Sequence, residues 1–141
     1  MKLYSLNTIF IFSALILLSS CKSETELTME RGNYFYASEN YNNAADQFTK
    51  IILKYSKTDI SQLKNSEIEL LAHAYQQLAL CNAQLAKRAK TDIEKKIDYE
   101  KALENIKNAE SLSIKEGKRE AYRRTRLGIQ NQLSKIKSSN Q

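Results

Sequence analysis

The chain contains no proline and no tryptophan, and its 141 residues include only three glycines, one histidine and two cysteines. Without proline nothing imposes a kink or an abrupt stop on a helix. Three widely separated glycines make neither a phosphate loop nor a dinucleotide fingerprint, both of which need glycines at close, fixed spacing. A lone histidine, His73, excludes histidine pairs and most zinc sites. It falls off the apolar stripe of its segment and reads as a surface or edge residue. One cysteine, Cys21, ends an apolar leader, so no internal disulfide is expected. The other, Cys81, lies between Leu80 and Asn82 and reads as small core packing without a base to activate it. Acidic residues are scattered and form no catalytic pair. No catalytic, cofactor-binding or metal-binding residue is therefore assigned, and the expectation is a non-enzyme without cofactor or small-molecule substrate. The residues that are abundant, Ala, Leu, Ile, Lys, Glu, Gln and Asn, favour helix over strand.

Residues 1 to 20 open with Met1-Lys2 and run through Ile9, Phe10, Ile11, Phe12, Ala14, Leu15, Ile16, Leu17 and Leu18 with no acidic interruption. One positive charge followed by a short apolar stretch and small residues predicts a cleaved secretory signal, too short for a lasting membrane span. The following Leu18-Ser19-Ser20-Cys21 resembles the lipobox of bacterial lipoproteins. That resemblance implies a lipid attached through the thiol of Cys21, a polar tether over 21 to 26, and anchorage in the cell outer membrane.

Residues 27 to 137 are expected to form one all-α domain of about five helices, since no strand-like alternation occurs. The first spans about 27 to 38 and the second about 41 to 56, with Asn40 as its cap and Tyr41, Ala44, Ala45, Phe48, Ile51 and Ile52 at helical spacing. A third begins after Ser66, which with Glu69 has the spacing of a capping box. Its stripe runs Ile68, Leu71, Ala72, Tyr75, Leu78, Ala79, Asn82, Leu85 and Ala86. A second box, Thr91 with Glu94, opens a fourth helix carrying Tyr99, Ala102, Leu103, Ile106 and Ala109, which Gly117 is expected to end. The fifth, about 118 to 137, uses Tyr122, Ile129, Leu133 and Ile136, and residues 138 to 141 are expected to be a disordered tail.

Gly32-Asn33-Tyr34-Phe35-Tyr36, then Asn40-Tyr41-Asn42-Asn43-Ala44, then Phe48 resembles a tetratricopeptide (TPR) repeat. The resemblance implies antiparallel helical hairpins in which the small residues Gly32 and Ala44 allow close approach and Phe35 and Phe48 fill the wedge beside them. Thr28, Arg31 and Ser56 stand where the family has Trp, Leu and Pro. Tyr75-x-x-Leu78-Ala79 with Tyr99 to Ala109 resembles a looser second unit, and Leu127-Gly128 the opening of a truncated third. A generic five-helix bundle is the alternative. A lipobox followed by such repeats resembles the BamD-type lipoproteins of outer-membrane assembly, which implies a non-catalytic scaffold facing the periplasm and a BamA-like β-barrel assembly protein as partner. The alternative is a surface-displayed lipoprotein that binds host or environmental ligands.

The net charge of +6 is concentrated between Lys115 and Gln141. A basic helix suits nucleic acid, anionic lipid or an acidic protein face, and export argues against nucleic acid. Arg119, Arg123, Arg124 and Arg126 are thus candidate contacts, or else the solvated face of a capping helix. Tyr34, Tyr36, Tyr41 and Tyr75 are candidate contacts on the concave face, or else packing between helices.

Overall fold

The computed structural model describes residues 22 to 139. The leader, the expected lipid site Cys21, Asn140 and Gln141 lie outside the described residues. Within them are five α-helices, α1 (Glu24–Ala37), α2 (Tyr41–Tyr55), α3 (Asn65–Arg88), α4 (Asp92–Leu112) and α5 (Glu116–Ser139), with one 3-10 turn at Ile60–Gln62 and no strand. None of these helices is long and apolar enough to cross a membrane.

The helix starts follow from local hydrogen bonding. Ser23 and Glu26 form a reciprocal box, with Glu26 N–H donating to Ser23 Oγ at 3.2 Å and Ser23 N–H to Glu26 Oε2 at 2.8 Å. This starts α1 earlier than expected: residues 24 to 26 of the anticipated tether are helical, and Thr25 is buried, receiving a 2.6 Å hydrogen bond from Lys54 Nζ. Asn40 caps α2, and Thr91 with Glu94 forms the expected box before α4. The expected Ser66–Glu69 box does not form. Instead α3 begins at Asn65, where the Lys64 N–H donates to Glu67 at 2.9 Å, and Glu69 is engaged elsewhere. Gly117 does not end α4. That helix stops at Leu112 with Ser113 extended, and Gly117 lies in the first turn of α5. Helix α5 continues through Ser139, so the first two residues of the expected tail are helical.

Each helix packs chiefly on the next in chain order, and successive helices run antiparallel. Thr25 at the start of α1 meets Lys54 at the end of α2, and Glu69 near the start of α3 meets Ile114 after α4. The three-residue turn from α1 to α2 passes through Glu39 at φ 59°, a left-handed conformation that side chains disfavour. Arg88 clamps it from α3, donating to the Glu39 carbonyl at 3.1 Å and pairing with the Glu39 carboxylate.

Two adjoining clusters make the core. One joins Met29, Tyr41, Ala44, Phe48, Ile51 and Tyr55 to Leu71, Ala74 and Cys81; the other joins Ala72, Ala79 and Ala86 to Tyr99, Ala102, Ile106, Ala109, Tyr122 and Ile129. Helix α3 therefore buries two faces, and Ala74 and Cys81 extend the single expected stripe. At the α1–α2 crossing Gly32 lies against the Phe48 ring so closely that a Cβ would fall 2.5 Å from Cε1 and 2.7 Å from Cζ. Ala44 and Phe48 are fully buried, and Phe35 is partly buried against the same cluster. Gly128 has nothing within 4 Å of an added Cβ, so the Leu127-Gly128 pair does not open a packed unit as Gly32 does.

Candidate protein-docking surface

The four candidate tyrosines are not gathered on one face. Tyr34 points outward and is 69 % exposed, its ring edge-on to Phe35 with centroids 5.8 Å apart. Tyr36 is half-buried, tilted against the Tyr41 ring at 5.2 Å, and its hydroxyl accepts from Gln84 Nε2 at 3.4 Å. Tyr41 is buried beneath the Arg88 guanidinium, which sits 4.5 Å from the ring centroid. The cation covers the ring, so Tyr41 packs within the hairpin and presents little surface. Tyr75 lies nine residues from Gln84, about 14 Å along α3, in a different groove.

That groove runs between the ends of α2 and α4 over α3, lined by Tyr55, Ser56, Ile60, Leu71, Tyr75, Asn108 and Leu112. Burial raises the Tyr75 phenol above its ordinary pKa, and the Glu104 carboxylate adds to the effect. The ring stays neutral and can present its hydroxyl to a ligand as donor or acceptor. Leu71 and Leu112 supply apolar floor, while Asn108 and Ser56 supply polar rims. A groove of this kind suits an apolar peptide side chain with a polar neighbour.

A second groove lies between the start of α3 and the start of α5, lined by Ser66, Glu69, Leu70, His73, Gln76, Lys118, Ala121 and Tyr122. His73 is half-buried and hydrogen-bonds to Gln76 at 3.0 Å. Burial lowers its pKa against the opposing pull of Gln76, and the Lys118 charge lowers it further, so the imidazole is neutral at pH 7. Glu69 is the organiser here. Its Oε1 accepts from the Ile114 and Lys115 N–H groups at 2.7 and 3.1 Å, and its Oε2 lies 3.1 Å from Lys118 Nζ. Burial pushes this carboxyl up, but the close ion pair with Lys118 and the hydrogen bonds from the two backbone amides outweigh it and leave the pKa below the ordinary value. Glu69 thereby supplies the acceptor that α5 lacks locally. The hint in the sequence is Lys115, the residue before α5, whose side chain has no acceptor with which to cap a helix.

The arginines of α5 divide. Arg126 binds Glu110 through Nε at 2.6 Å and Nη2 at 3.4 Å, and Nη1 donates to Gln130 at 3.2 Å. Arg119 donates to the Ser113 carbonyl from Nε and Nη2 at 3.2 and 2.6 Å and pairs with Glu116. Both guanidinium groups are engaged within the chain, Arg126 across the α4–α5 packing and Arg119 on the Ser113 carbonyl that follows α4. Arg123 is exposed and only 3.7 Å from Glu120, a weak surface pair. Arg124 is exposed and has no ion pair among the described residues. Cys81 is fully buried, its thiol pushed up to about 12 by desolvation. Among the described residues no group of three His, Cys, Asp or Glu side chains is placed to hold a metal ion.

Comparison of the chain with protein-family models, with curated proteins and with solved structures gives no match. The class defined by fold and surface is thus an all-helical array with open grooves between alternate helices.

Proposed function

We propose that the chain is a non-catalytic, lipid-anchored docking scaffold built from tetratricopeptide-like hairpins. It is held at the outer membrane through Cys21 and faces the periplasm, where it holds a protein partner during the insertion of β-barrels. The observation that carries the reading is the contact of Gly32 with Phe48, flanked by Ala44. A hairpin locked at one glycine leaves the next helices to stack in sequence with grooves open between them, and such arrays bind peptides and proteins through those grooves. Tyr75, Leu71 and Leu112 supply the apolar part of the binding groove, with Asn108 as polar rim.

The test is affinity purification of the full chain from crosslinked membranes, compared with a Tyr75→Ala, Asn108→Asp variant. Recovery of a large β-barrel protein with periplasmic repeats, reduced by the variant, supports the reading. Equal recovery from both refutes the groove, and recovery of no envelope protein refutes the scaffold. Fractionation of a Cys21→Ala variant tests the anchor, which predicts release from the membrane. Degradation of the wild type by protease added to intact cells would replace the periplasmic location with surface display.

A further inference from the structure

Helix α5 is the last of the array and packs on α4 through Tyr122, Ile129, Leu133 and Ile136. Its opposite side is open. Glu120, Arg124, Leu127, Gly128, Asn131 and Lys135 recur at helical spacing on that side, and Leu127 is 50 % exposed there. The basic excess of this helix opposes contact with another copy, yet three of its seven basic side chains are engaged within the chain: Lys118 lies on Glu69, Arg119 on Ser113 and Arg126 on Glu110. The outward stripe carries charges of both signs, and their order is self-complementary.

We infer that this stripe is a two-fold interface with a second copy of the chain. An antiparallel axis passing between Leu127 and Gly128 sets Leu127 against Gly128 of the second copy, Arg124 against Asn131, and Glu120 against Lys135. A leucine thus meets the one residue with no side chain, an arginine meets an amide oxygen, and a carboxylate meets an ammonium, each twice over by symmetry. Gly128 leaves free the space a Cβ would occupy, which lets the helices approach closely. Glu120 gives up only its 3.7 Å contact with Arg123, which remains within reach.

Sedimentation equilibrium of the full chain in density-matched detergent tests this, with circular dichroism to confirm helical content. The wild type is expected to dimerise; Leu127→Asp to be monomeric; Glu120→Lys or Lys135→Glu each to weaken the dimer about tenfold; and the combined swap to restore it to within about threefold. All three positions face solvent, so folding is not at stake. A wild type that stays monomeric at about 100 μM, a dimer indifferent to Leu127→Asp, or a double swap that fails to recover overturns the inference.

Discussion

Gly32→Ala adds one methyl group where the Phe48 ring already sits 2.5 to 3.0 Å from the position it would take. Ordinary contact begins near 3.4 Å, so the ring or the helix must move by about half an ångström or more, and Phe48 is fully buried in a core of the usual close packing. Overpacking of this kind costs about 1–3 kcal/mol. Against it stands the gain of replacing glycine by alanine inside a helix, about 1 kcal/mol. The net expectation is a loss of up to about 2 kcal/mol, read as a lower urea midpoint by circular dichroism at unchanged slope. Gly117→Ala is the control: nothing lies within 4 Å of its Cβ, so the same chemical change should leave stability unchanged or raise it by up to about 1 kcal/mol. Phe48→Leu should lower stability alone but cost less in the Gly32→Ala background, because the smaller side chain vacates the clash. A Gly32→Ala protein stabilised as much as the Gly117→Ala control, or purely additive effects in the cycle, would refute the close approach on which the hairpin reading rests.

Glu69→Ala removes the acceptor for the two backbone amides just before α5, those of Ile114 and Lys115, and leaves Lys118 unpaired, so a loss of about 1–3 kcal/mol is expected. Because the Glu69 pKa is lowered in the fold, its contribution is present above the ordinary carboxylate pKa of 4.5 and fades as pH falls through the lowered value. The acid limb of the stability profile should therefore flatten in the variant, and identical profiles for the two proteins would count against the role. Cys81, with its thiol pushed up to about 12, should resist alkylation at pH 8 in the native state and react only in denaturant. Its sign is opposite: the buried neutral thiol stabilises below the unfolded pKa, and that stability is lost between about pH 9 and 12 as the unfolded thiolate becomes favoured. Rapid native alkylation would show the site open.

What could be read from sequence was what is local. Asn40 and Thr91 cap the helices they precede, because a cap bonds within three residues of itself. The face of α2 carrying Tyr41, Ala44, Phe48 and Ile51 is buried as its spacing implies. The failures are of another kind. Tyr34, Phe35 and Tyr36 are consecutive, so their rings leave α1 about 100° apart, and only the presence of α2 and α3 decides that Tyr36 is covered while Tyr34 is not. Glu69 has the spacing of a capping residue for its own helix, but its carboxylate reaches amides forty-five residues away, where no local pattern points. Arg126 looks like part of a basic surface until Glu110, sixteen residues earlier, is brought beside it by the α4–α5 packing.

The glycines make the same point more sharply. Gly32 and Gly128 are equal in sequence: each sits inside a helix, at a cost of about 1 kcal/mol relative to alanine. At position 32 the cost is offset by a phenylalanine that packs where a side chain would be. At position 128 nothing within the chain offsets it, on a helix whose exposed stripe pairs with its own reverse. An unrewarded glycine between Leu127 and Ile129 would be a defect in an isolated molecule. Beside a second copy it has the same use as Gly32, with Leu127 in the place of Phe48, so one packing device serves both to fold the chain at its first hairpin and to join two chains at the last helix.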